Sequence, residues 1–378
     1  MMNHTMLGCT PDHLGYPKEE PQFPLELAWR TRIRAVAGCP VLDEGKLFFS
    51  NPTGQMDKGW IFALDAESGK IIWQHSRVRP AYIQPIISVA EGLIFYGSSK
   101  GVFAIRTSDG RRVWQQKGIG SDSILASNGR VYTAAEINKE RGFYALDAQT
   151  GEILWRFEVK RGIYPVLSGE RLIFGDSRSA RGGGGLYCVN PKTGELIWKK
   201  DLGKIGEYRD KIESQLQKRE VICEGKLLSM LPVIHNERLY CTMVRYNCCF
   251  DIQTGDLIWR NKGYSYEVIF KGGKLFGFSG NTFFSIDAAT GERIYAKKKE
   301  PSGIYSGLIP FLSGHILFAG DTSGLYAADI RTGEVVWQHV CKSVGSGPFY
   351  NAHAIFVDGS LYSAFQDGYV YCFRSKDR

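Results

Sequence analysis

No stretch of the 378-residue chain approaches the roughly 18 consecutive apolar residues that a membrane-crossing helix needs. Residues 1–24 are polar and proline-bearing and contain no hydrophobic export core. Met6-Leu7-Gly8-Cys9 resembles a lipoprotein cleavage site but has no such core ahead of it. The expectation is a cytoplasmic protein, with export as the alternative if upstream sequence is missing. There are nine cysteines, an odd number, and no Cys-x-x-Cys spacing, so zinc-ribbon, c-type haem and thioredoxin-like motifs are all missing. Cys188, Cys241, Cys248, Cys249 and Cys372 fall in predicted strands, where a small thiol packs as an apolar group. The glycine run Gly182 to Gly185 lacks the Lys-Ser/Thr of a phosphate-binding loop and reads as a flexible loop. No Ser/His/Asp set stands in a supporting context, and the seven histidines show no zinc spacing.

What the chain does have is one phrase written seven times. Its clearest copies run from Ala63 through Asp65, Ser68 and Gly69 to Trp73, and from Ala145 through Asp147, Thr150 and Gly151 to Trp155. The others are 106–114, 190–198, 251–259, 287–295 and 329–337, the sixth ending in Tyr295 instead of Trp. Successive turn glycines are spaced 41, 41, 43, 61, 36 and 42 residues apart. A period near forty with four short strands per unit predicts propeller blades. Asp folds its carboxylate onto the amides just ahead, and Gly supplies the left-handed residue that closes the turn. The Trp is expected to wedge between blades, with the small Ala or Cys upstream leaving it room. Leu27-Ala28-Trp29 reads as a lone outer strand, and the run from Tyr369 to Phe373 as a lone third strand. Together they make an eighth blade, closed by pairing the two ends of the chain. The expected fold is therefore all-β: a 1–24 extension, then a single eight-bladed propeller of four-stranded blades over 25–378, with a helical insertion near 204–220.

The phrase Ala-x-Asp-x-x-Thr-Gly-x-x-x-Trp resembles the repeat of pyrroloquinoline-quinone-type propellers, quinoprotein-like and BamB-like, over roughly residues 25–374. The resemblance implies the fold but not one activity, because that family holds dehydrogenases, an outer-membrane assembly scaffold and propellers appended to kinases. Pyrroloquinoline quinone with calcium is the cofactor the dehydrogenase branch implies, and none is expected on the scaffold branch. The dehydrogenases stack a vicinal disulfide on the quinone. Here the adjacent Cys248 and Cys249 sit inside a predicted strand, where successive side chains point to opposite faces, so core thiols are expected. No metal site is expected.

Charge separates the two faces of the predicted ring. The eight inter-blade connectors hold 23 basic and 10 acidic residues, net +13, while the seven turns hold 12 acidic and 5 basic, net −7. A ring of like charge around a concave mouth attracts anions. Its expected members are Arg32, Arg79, Lys117, Arg161, Lys262 and Lys298, with Tyr82, Tyr164, Tyr266, Tyr305 and Tyr350 interleaved. Long second-to-third-strand loops are expected on the same face at Asn51–Gly59, Glu136–Gly142 and Asp176–Gly185. The insertion 204–219 carries Ile205, Tyr208, Ile212 and Leu216 on one helical face. The residues point first to a non-catalytic scaffold that binds an acidic protein segment or another polyanion, with nucleic acid left open. The alternatives are a quinoprotein-like dehydrogenase, or a propeller enzyme acting on an anionic sugar or small molecule, with Asp122, Glu267 and His353 as candidate acid–base groups.

Overall fold

The computed structural model describes residues 10, 13, 14, 16–33, 40–52, 59–78, 87–159, 162–176, 184–202, 232–243, 246–262, 267–279, 282–298, 310–321, 324–340, 353–365 and 367–376. The helical insertion predicted near 204–220 lies outside them. The described residues form 31 strands and no helix. Blade one is Val41–Asp43, Lys46–Pro52, Gly59–Asp65 and Ile71–Val78, paired in that order. Blades four to seven repeat it over 162–201, 233–262, 268–298 and 311–340. Blade eight takes His353–Val357, Ser360–Ala364 and Tyr369–Ser375 from the end of the chain and Leu25–Arg32 from its beginning. Trp29 pairs with Cys372 and Arg30 with Tyr371, as the closure predicts.

Blades two and three depart from the expected plan. Arg112–Ser127 is one unbroken strand, the outer strand of blade two and then the inner strand of blade three, so seven strands share a sheet. Residues 115–123, one of the eight expected inter-blade connectors, are therefore β structure, paired with blade three from Gly118 opposite Ile137 to Gly120 opposite Ala135. Gly120 permits this, since a Cβ there would fall 2.5 Å from the Gly101 carbonyl oxygen. The long loop expected at Glu136–Gly142 is likewise a two-residue turn, because Asn138 and Lys139 both take positive φ and carry the strands on to Ile137 and Glu140.

The first strand of each blade lies innermost, since first strands of neighbouring blades approach one another while fourth strands carry the exposed positions. Apolar clusters join every blade to the next: blade one to two through Phe48 and Tyr96, two to three through Phe95 and Val131, three to four through Phe143 and Phe174. The series continues through Cys188 and Cys241, Cys249 and Leu275, and Phe276 and Leu317. One cluster joins blades seven, eight and one through Phe318, Phe356 and Leu47.

The repeated phrase builds these joints. Asp147 accepts hydrogen bonds at one carboxylate oxygen from the Gln149 and Thr150 amides at 2.9 and 2.8 Å and from the Thr150 hydroxyl at 3.1 Å. Asn190 plays the same part with Lys192 and Thr193. Each motif tryptophan then reaches the turn of the next blade. The Trp155 indole N–H donates to the Pro191 carbonyl at 3.0 Å, and its ring lies so close to Gly194 that a Cβ there would be 2.7 Å away. Trp29, Trp73, Trp114, Trp198 and Trp259 repeat the bond, the Tyr295 hydroxyl substitutes in blade six, and Trp337 reaches the Leu25 carbonyl. The small upstream residue stands directly across the ladder from the ring, Ala145 from Trp155 and Cys188 from Trp198. A β-bulge precedes each ring and skips Ile72, Leu154 and Ile197, which stay half exposed on the perimeter like the paired Ile71, Ile153 and Leu196 beside them.

Candidate functional site

Inner strands enter from the connector face and leave at the hairpin face, so both ends can be read from register. Arg32, Lys262 and Lys298 are the last residues of the outer strands of blades eight, five and six. Lys117 stands at the matching height in blade two, opposite Gly101. All four are exposed, and the exposed Asp201 holds the same position in blade four, opposite Gly185. They lie on the rim of the connector face, where the connectors begin, and not around its mouth, because the fourth strand is the outermost. Arg79, Tyr82, Arg161, Tyr266, Tyr305 and Tyr350 lie outside the described residues.

The inner ring holds a different set. Glu267, Tyr164, Ser123 and His353 each stand five residues ahead of the first turn residue of their blade's inner hairpin. They therefore share one height at the connector-side entry of blades six, four, three and eight. Glu267 is buried, at 4% exposure, beside the Cys241 thiol of blade five. Tyr164 is half-buried with φ 50°, and its amide donates to the Ser123 hydroxyl at 2.7 Å, tying blade four to blade three. The Ser88 hydroxyl accepts the Ala126 amide at 3.1 Å and ties blade two to three in the same way. Of the candidate acid–base groups, Asp122 and His353 are strand residues whose side chains are not described, and their blades are separated from that of Glu267 by intervening blades. Sequence reasoning did not single out Ser123 and Ser88. Their signal is a polar residue at the entry of an otherwise apolar inner strand.

The thiols serve the blade interfaces. Cys188, Cys241, Cys248, Cys249 and Cys372 are all free and buried. Cys248 packs between blades four and five, and Cys249 between blades five and six. Burial pushes both thiols up to about 12. Opposite-facing thiols offer no vicinal platform for a quinone, so this feature of the dehydrogenases does not fit. Among the described residues, no group of three or more His, Cys, Asp or Glu is placed to hold a metal ion.

Fold and site thus define a repeat propeller whose motif residues are committed to joining blades. The chain belongs to the family described as outer membrane protein assembly factor BamB, which matches it over residues 25–116, 57–294 and 182–376. The factor BamB of Yersinia pestis is 24% identical over 94% of this chain and 91% of its own length. That of Escherichia coli is 32% identical over 111 residues, 27% of this chain and 28% of its own. Tetrathionate hydrolase of Acidithiobacillus ferrooxidans is 24% identical over 62% of this chain, and the match spans about half of the enzyme, 48%. Among solved structures, BamB from Moraxella catarrhalis superposes with a TM-score of 0.66 at 16% identity, covering 94% of this chain and 99% of that one. A europium-containing methanol dehydrogenase gives 0.70 at 13% identity, covering 99% and 98%. Scaffold and enzyme share the fold, so these superpositions speak to architecture alone. The expectation of a cytoplasmic setting gains no support from a family described by the outer membrane.

Proposed function

We propose that the chain is a protein-binding assembly scaffold that engages its partner through the connector face. The observation that carries this reading is the end-to-end match to an assembly factor, combined with a fold that commits its distinctive side chains to blade joints. The repeated Trp, Asp and Gly hold adjacent blades together, and the described cysteines fill the interfaces. The connector face keeps the basic rim of Arg32, Lys117, Lys262 and Lys298. A predominantly basic rim, with Asp201 its acidic exception, steers an oppositely charged surface toward it and raises the on-rate more than the affinity. An acidic segment of a partner protein is the ligand that suits it. The dehydrogenase reading is weakened by Cys248 and Cys249, whose thiols face different interfaces.

The test is chemical cross-linking of the full chain with whatever protein co-purifies, using a carboxylate-to-lysine reagent. Cross-links from acidic residues of the partner to Lys117, Lys262 or Lys298 are expected. Cross-links confined to hairpin-face lysines such as Lys70 and Lys274 would overturn the assignment of the face.

A further inference from the structure

We infer that the hairpin face carries a second peptide-binding site, on the inner hairpins of blades six to eight, and that the chain's own residues 16–24 fill it as an acidic strap. The segment arrives from the inner strand of blade five, where a His13 ring nitrogen meets the Pro232 carbonyl at 2.7 Å. It then crosses the hairpins outward until it becomes the outer strand of blade eight. Along the way it is held as a bound peptide is held. The Pro17 carbonyl accepts the Gly314 amide at 3.1 Å and the Glu19 carbonyl accepts the Ser313 hydroxyl at 2.6 Å. The Glu19 carboxylate takes the Gly359 amide at 3.0 Å, and that of Glu20 takes the His315 amide at 2.8 Å. Glu20 also lies 3.6 Å from the Arg331 guanidinium.

Two further observations mark this as a built site. The repeat turns make this face acidic, yet here Lys271, His315 and Arg331 gather around Glu20. Gly314 is also matched to the strap: a Cβ there would lie 2.9 Å from the Glu19 carbonyl and closer still to the Glu20 carboxylate. Gly169 and Gly272, at the same place in the hairpins of blades four and six, have nothing within 4 Å. The chemistry selects an extended segment with two consecutive acidic residues, read by backbone amides, with the Arg331 guanidinium, itself held by Asp329 at 2.6 Å, as a nearby positive charge. Tethering gives the strap a high effective concentration, so a competing acidic segment of another protein meets an occupied site. If the strap is seated nine-tenths of the time, affinity for that segment falls about tenfold.

The experiment titrates a synthetic peptide of residues 16–24 into the full chain and into full-length E19K/E20K, with E19A/E20A as a milder release variant. Hydrogen exchange at Gly314, His315 and Gly359 reports whether the strap has left. Loss of protection there, with about tenfold or greater tightening of peptide binding, is expected in at least one variant. Adding R331A to that variant should return binding to the wild-type level, and a peptide with both glutamates changed to glutamine should not bind. Persisting protection in both variants would overturn the claim that the acidic pair holds the strap. So would a released variant that binds the peptide no better than wild type, or binding indifferent to R331A.

Discussion

Gly194→Ala measures the joint on which the ring depends. Two separate costs meet at this position. Its φ of 76° strains any residue with a Cβ, at about 1–2 kcal/mol. The added methyl would also sit 2.7 Å from the Trp155 ring, and displacing a ring with 8% exposure from its packed seat costs about 1–3 kcal/mol more. Gly129→Ala isolates the first cost, because Gly129 has φ 70° but its nearest neighbour is a Glu91 carboxylate oxygen 4.0 Å away. In urea denaturation of the full chain, the two midpoints and slopes convert to free energies. Gly194→Ala should lose about 1–3 kcal/mol more than Gly129→Ala. Equal losses would show that the turn glycines serve only backbone conformation and that the tryptophans do not lock against them.

Trp155→Ala should cost about 3–5 kcal/mol in the same assay. Trp155→Phe should cost far less, since the Pro191 carbonyl it leaves still accepts the Tyr132 hydroxyl at 3.2 Å. Deleting residues 1–32 removes the strand that completes blade eight, and the product should be insoluble or markedly destabilised; a soluble, fully folded product would contradict the closure. The turn amides hold Asp65, Asp147 and Asp287 below the usual carboxylate range, the Ser68 hydroxyl leading at Asp65 and the Thr150 and Thr290 amides at the others. A carboxyl lowered in the folded state adds stability above its unfolded pKa and loses it as pH falls through the folded value. Asp147→Asn should therefore keep the turn, as Asn190 does, and flatten the acid limb of the stability–pH curve; an unchanged limb would refute the role. Cys248 and Cys249, with thiols at about 12, should escape alkylation at pH 8 in the native state and react after unfolding; a disulfide between them would contradict their placement.

Much of this architecture is legible in the residues because its joints repeat. Asp, Thr, Gly and Trp recur at fixed spacing since each blade must make the same turn and meet the next in the same way. The lone strands around Trp29 and Tyr371 are readable because a blade missing its outer strand and a strand missing its blade complete each other. Single events are harder to read. Gly118 and Gly120 look like loop residues, yet they let one strand run through two blades where backbones nearly touch. Asn138 and Lys139 shorten an expected loop because both adopt positive φ. The strap shows no periodicity, for its grip comes from hairpin amides and two carboxylates. The site followed the same division: the face of the basic residues is fixed by strand order, but rim and mouth differ by whether a residue ends an outer strand or begins an inner one, and the repeat phrase is silent on that. The Ser123 and Ser88 clasps are single hydroxyls between inner strands, with no pattern in sequence to announce them.

Recruitment of an acidic partner by the connector face is read out by the association rate of the co-purifying protein with wild type and with K262E/K298E across a series of salt concentrations. Exposed charges are screened beyond about 8 Å at physiological ionic strength. The wild-type rate should therefore fall steeply with salt, and the double reversal should associate slowly from the start with little further salt dependence and an unchanged melting temperature. A wild-type rate indifferent to salt, or a double reversal that associates as fast as wild type, would mean that the basic rim does not recruit the partner.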